Sequence, residues 1–171
     1  MVFHVSFVRS FRVSAGESQR LLDDTGWRIL EELQEDARVS FTELGRRVGL
    51  STPAVTERVR RMEDAGIITG YRAVVDPAKV GLGMQAVIRM TASGGRCDSL
   101  ARFAADLPEV LWCVRVTGTD SAIMRVAVES VAHLEQLIDV LMPRGDIVTS
   151  IVLSTAVHHR TLRRREGIPT R

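Results

Sequence analysis

SFTELGRRVGLSTPAVTERVRRMEDAG, residues 40–66, is the stretch that decides the fold of the N-terminal half. Ser40-Phe41-Thr42-Glu43 is a capping box. In that motif the Ser oxygen takes an orphan amide while the Glu reaches back to the Ser amide, so a helix starts here. Val48-Gly49-Leu50 closes it within a few turns. A new helix begins at Ser51-Thr52-Pro53, where hydroxyls cap and proline suits the first helical position. Val55, Val59 and Met62 make one apolar face, and Gly66 supplies a left-handed stop. Two short helices around a tight Gly-containing turn predict a helix-turn-helix.

Upstream, Ile29, Leu30 and Leu33 recur at helical spacing, with Asp23 or Asp24 as the cap and an end near Asp36. Downstream, Ile67 to Val75 reads as extended chain with Gly70 as a turn, the expected wing. Asp76 to Gly83 is the linker, flexible at Gly81 and Gly83. Beyond it the pattern is strand (Ala86 to Thr91), helix (Cys97 to Leu107), strand (Val110 to Thr117), then strand (Ile123 to Glu129), helix (Val131 to Met142), strand (Ile147 to Val157). Trp112, Val114 and Val116 alternate with Leu111, Cys113 and Arg115, the period of a sheet with one buried face. The expected fold class is therefore α+β: an N-terminal winged helix-turn-helix joined to a C-terminal ferredoxin-like βαββαβ domain. The expected divisions are a flexible arm over 1–20, the DNA-binding domain over 21–75, the linker over 76–83, the second domain over 84–158 and a basic tail over 159–171. Arg9 and Arg12 interrupt any secretory apolar run, so the arm reads as an amphipathic segment or a mis-assigned start.

The 171 residues are 45% hydrophobic but only 5% aromatic, so the core must be aliphatic. No run of apolar residues is long enough for a membrane helix. Cys97 and Cys113 form no C-x-x-C pair, which points to a reducing cytosol. Net charge is +2, unevenly spread: residues 21–75 hold eight Arg against ten acids, and residues 157–171 hold five Arg against one Glu. Lys79 is the sole lysine, a bias that a GC-rich genome explains better than phosphate recognition does.

Within the acidic first domain, Arg46, Arg47, Arg58, Arg60 and Arg61 nevertheless cluster. With Val55 at the centre of the buried face, Pro53, Glu57, Arg60 and Arg61 point outward, and Thr52 and Thr56 flank that side. Small hydroxyls at a helix start with arginines a turn or two later suit a helix whose N-terminal end enters the major groove of double-stranded DNA. The expected DNA-binding residues are Ser51, Thr52, Thr56, Glu57, Arg60, Arg61, Arg46 and Arg47. The bland reading is a solvated face with a Glu57–Arg61 pair; the helix-turn-helix spacing weighs against it.

Leu22-Asp23, Ile29-Leu30, Leu33, Leu50-Ser51, the run Glu57-Arg58-Val59-Arg60-Arg61-Met62-Glu63, then Gly66-Ile67-Ile68 and Gly70-Tyr71 together resemble the Lrp/AsnC (feast/famine) bacterial transcription regulators. The resemblance covers about residues 22–158. It implies a cytoplasmic, nucleoid-associated regulator, a homodimer assembling into a tetramer or octamer, and a response to a free amino acid.

The resemblance implies that the turn Val116 to Ser121 contributes to an amino-acid pocket between dimers, which makes it the effector candidate: Gly118 lets backbone amides approach a carboxylate, and Asp120 can pair an α-ammonium. An ordinary hairpin turn favours the same residues. The resemblance adds a hydroxyl from the last strand, giving the set Thr117, Gly118, Thr119, Asp120, Ser121 and Ser150. The chain departs from the family pattern at Gly26, where the first helix often has Asp, and at Ala122, where an aromatic often follows the turn. His4, His133, His158 and His159 lack metal-ligand spacing, so no metal and no cofactor is expected. Arg163-Arg164-Arg165 reads as a solvated tail with weak DNA affinity. The rivals are an effector-independent architectural DNA binder, an RNA-binding module, which would want more sheet aromatics than Trp112, and an enzyme, for which no acid–base constellation exists.

Overall fold

A computed structural model describes residues 20–92, 97–158 and 160–164. The readings placed on residues 1–19 of the arm, His4 among them, on His159, on the Cys97 side chain and on Arg165 lie outside the described residues. The chain divides into two compact units, 74–156 and, among the described residues, 20–73 together with 157–164.

In the first of these by sequence, α1 (Asp24–Glu35), α2 (Phe41–Val48) and α3 (Thr52–Asp64) follow one another. The starts of α1 and α2 carry the side-chain caps read from the chain, whereas α3 keeps its proline but no hydroxyl cap bond. Asp23 Oδ1 accepts from the Gly26 N–H at 2.7 Å, Ser40 Oγ accepts from the Glu43 N–H at 3.2 Å, and Ser51 precedes a proline in the first turn of α3. Gly49, at φ 77°, turns the chain between α2 and α3, and the Leu50 N–H returns to the Gly45 carbonyl. Leu21, Ile29, Leu33, Leu44, Val48, Val55, Val59 and Met62 form the core beneath them.

Three expectations are corrected. Glu43 does not return to the Ser40 amide; its carboxylate is drawn off by Arg46 and Arg47 at 2.7–2.8 Å, a stronger charge-assisted partnership. The wing does not form as paired strands: residues 69–75 have no regular structure and pair with no strand among the described residues, and Val74 and Val75 stay exposed. What holds this stretch is a side chain, Tyr71, whose hydroxyl donates to Glu63 at 2.9 Å. The linker is also less loose than expected. Asp76 caps a 3-10 turn over Pro77–Val80, and Gly81 ends it.

The second unit is β1 (Met84–Ala92), α4 (Cys97–Ala105), β2 (Val110–Arg115), β3 (Ala122–Val128), α5 (Val131–Leu141) and β4 (Gly145–Ile151). Its antiparallel sheet has the order β2-β3-β1-β4, which is the ferredoxin-like arrangement. Ala86, Ile88, Met90, Met124, Val126 and Val128 pack under Leu100, Ala104, Leu134, Leu137 and Leu141 of the two helices. Trp112, Val114 and Val148 pair across the ladder with Arg125, Ile123 and Arg89 and stand exposed on the opposite face. Cys113 faces the helices, half-buried, and that burial pushes its thiol pKa up.

Candidate nucleic-acid interface and effector turn

α3 separates its residues cleanly. Val55, Val59 and Met62 are buried, while Thr52, Glu57, Arg60 and Arg61 are exposed. Arg60 makes only a loose i,i+3 contact with Glu57, at 3.5 Å and largely in solvent. Such a pair contributes little and yields readily to phosphate. Arg61 has no ion-pair partner among the described residues. The Ser51 hydroxyl makes no capping hydrogen bond, whereas Thr56 is half-buried and donates back to the Thr52 carbonyl at 2.8 Å.

The remaining arginines of the cluster are engaged inside the domain. Arg58 reaches Asp23, the cap of α1, and holds its carboxyl below the usual range, helped by the Gly26 amide. Arg47 bonds Glu32 and Glu43, each at 2.8 Å, and Arg46 bonds Glu43. Arg47 thus ties α2 to α1 through Glu32, and the two carboxylates compete with phosphate for both guanidinium groups. Arg72, exposed and without an ion-pair partner among the described residues, joins the candidate surface instead. Tyr71 beside it is tied to the last turn of α3. Sequence reading missed Arg72 because only the fold reveals which basic residues are already spent on carboxylates.

The Glu43 network makes a pH prediction. Hydrogen bonds from Arg46 and then Arg47 lower the Glu43 pKa from 4.5 to about 2. A depressed carboxylate stabilises the fold fully above 4.5, and that contribution disappears as pH falls toward 2, because the unfolded chain takes the proton first. Urea midpoints measured across this window should fall more steeply for the wild type than for Glu43→Gln. The difference should shrink in high salt, since the group is exposed.

In the second unit the β2–β3 turn lies against the end of β1. Ser121 N–H donates to the Met90 carbonyl at 2.7 Å, Ser121 Oγ accepts from the Ala92 N–H at 3.0 Å, and Thr91 Oγ1 donates to the Thr119 carbonyl at 3.3 Å. Gly118 sits at φ 112°, where side chains are strained, and its surroundings are open. Thr117, Gly118 and Thr119 are exposed. Asp120 pairs with Arg89 at 3.7 Å. That arginine was missed, although its outward parity between the inward-facing Ile88 and Met90 was readable. Ser150 lies opposite Val87 on β4, across β1 from the turn, so one chain does not bring it against Gly118.

The AsnC-type helix-turn-helix domain family matches residues 22–63, and the Lrp/AsnC ligand binding domain family matches residues 85–162. An uncharacterised HTH-type transcriptional regulator of Bacillus subtilis, YezC, is 41% identical over 138 residues, covering 81% of this chain and 98% of that protein. The chain belongs to the Lrp/AsnC family of transcription regulators. Among solved Lrp/AsnC structures, Bacillus subtilis LrpC superposes with a TM-score of 0.77 at 33% identity, over 81% of this chain and 99% of that one. A Neisseria meningitidis transcriptional regulator solved as its L-Met complex gives a TM-score of 0.77 at 32% identity, over 82% and 96%. Among the described residues no group of His, Cys, Asp and Glu is placed to hold a metal ion, and no helix is long and apolar enough to cross a membrane.

Proposed function

We propose that this Lrp/AsnC regulator reads DNA through the exposed side of α3 and responds to a free amino acid at the turn after β2. The observation that carries the first half is the clean split of α3 into a buried apolar face and an exposed face with two lightly held arginines. Ser51, Thr52, Thr56 and Glu57 are assigned to base edges and nearby phosphates, Arg60 and Arg61 to phosphate or guanine. Arg46 and Arg47 would have to exchange Glu43 and Glu32 for phosphate, so they rank behind Arg72. The uncovered sheet face bearing Trp112, Val114 and Val148 supports a homodimer, with further assembly to a tetramer or octamer. The chain has no chemical step to perform in this reading, and it works in the cytoplasm on the nucleoid.

The amino-acid half rests on the open backbone at Gly118 beside the Arg89–Asp120 pair, and on the neisserial relative solved with L-Met. Thr117, Gly118, Thr119 and Ser121 offer polar contacts, and Asp120 the charge for an α-ammonium. Ser150 is assigned to the same effector from an adjoining subunit. A thermal-shift screen of free amino acids finds the effector, because a ligand of the native state raises its stability. Titration calorimetry of Asp120→Ala should then show affinity weakened by roughly 1.5–3 kcal/mol, the value of a charge-assisted contact. Equal affinities would remove Asp120 from the site. No binding by any amino acid would leave an effector-independent architectural regulator.

A further inference from the structure

Residues 162–164 stay exposed but are tied to α1 by hydrogen bonds and ion pairs. Gln34, near the end of α1, uses both polar atoms of its amide on one residue of the segment: the Leu162 N–H donates to Gln34 Oε1 at 2.8 Å, and Gln34 Nε2 donates to the Leu162 carbonyl at 3.0 Å. This reciprocal pairing imitates the exchange between two strands and fixes the register of the segment. Arg163 then approaches Glu35 at 4.0 Å, and Arg164 bonds Asp24 in the first turn. The segment therefore contacts both the last turn of α1, at Gln34 and Glu35, and its first turn, at Asp24. At 100° per residue Asp24, Glu31 and Glu35 fall on one side of the helix, so α1 presents an acidic stripe to a basic strand.

We propose that this stripe of α1 is a docking surface for the chain's own segment 160–164, and that the docked segment supplies positive charge the DNA-binding unit lacks. Residues 21–75 hold eight Arg and ten acids, a net −2 that repels a polyanion. Arg160, Arg163 and Arg164 bring the unit to +1. Docking cancels the field of the α1 carboxylates within about one Debye length, ~10 Å at 0.1 M salt, and leaves the arginines of α3 to dominate toward the duplex. Gln34 matters because the amide clamp, unlike the exposed ion pairs, survives salt.

Two full-length variants test this. Gln34→Leu removes the clamp at an exposed position and keeps a good helix former there. Arg163→Ala with Arg164→Ala removes the charge. Hydrogen exchange of the Leu162 amide should be slow in the wild type and faster in Gln34→Leu. Affinity for duplex DNA should fall on the order of tenfold at low salt in the arginine variant and severalfold in Gln34→Leu, with both effects shrinking as salt rises. Equal exchange of Leu162 in wild type and Gln34→Leu would overturn the docking. Weaker binding by the arginine variant beside an unaffected Gln34→Leu would overturn the role of docking and leave a free tail binding DNA non-specifically. Tighter binding by either variant would overturn it too, making the segment an inhibitor. The DNA half rests on the regulator reading above: a wild type that binds no duplex sinks that reading, while amide exchange still decides the docking.

Discussion

Arg60→Ala combined with Arg61→Ala should weaken duplex binding by about 2–4 kcal/mol, roughly 30- to 1,000-fold. Both guanidinium groups stand on the exposed side of α3, one loosely against Glu57 and the other free of ion pairs among the described residues. Neither touches the core that holds the helix, which consists of Val55, Val59 and Met62. The double variant should therefore unfold at the wild-type denaturant midpoint. Its salt dependence should also flatten, by about one unit of log–log slope for each phosphate no longer neutralised. Fluorescence anisotropy on a labelled duplex at several salt concentrations reads both quantities. A folded double variant with unchanged affinity and slope would remove α3 as the reading helix.

Gly26→Ala should be the most damaging small substitution in the DNA-binding unit, costing about 3 kcal/mol, at the upper end of overpacking effects. A Cβ at this position would lie 1.9 Å from the Leu21 carbonyl oxygen and 3.0 Å from the Met62 side chain. The obstacle is backbone, so no rotamer change relieves it. The same residue gives its N–H to Asp23, the cap that Arg58 also grips. Displacing Gly26 would thus disturb the start of α1 and its tie to α3 together. Urea unfolding followed by circular dichroism should show a much lower midpoint, and a midpoint near the wild type would mean the Leu21 approach is not kept in solution. The departure from the family pattern at this position is then a packing requirement, met by the only residue without a Cβ.

What could be read from the chain was local. Asp23, Ser40, Ser51, Gly49 and Gly66 marked the helix ends because capping is decided within a few residues. Alternation around Trp112 to Val116 marked a strand, since one buried face imposes a period of two. What escaped depends on residues far apart in sequence. Nothing near Arg58 announces Asp23, and nothing near Arg47 announces Glu32. The pairing of Arg89 with Asp120 and of Gln34 with Leu162 required the fold. The wing failed for the same reason: Ile67 to Val75 has strand-like composition, but a strand exists only where another stands beside it. The basic cluster was legible as a cluster; which of its arginines remain available for DNA was not.

Whether α3 makes this chain a sequence-reading DNA binder is decided by selecting duplexes from a random pool with the full-length protein. Two related half-sites should be enriched, their centres about one helical turn, or a multiple of it, apart. That enrichment should vanish in the Arg60→Ala, Arg61→Ala variant. A pool that stays random through successive rounds, in the wild type as in the variant, would contradict the assignment of α3.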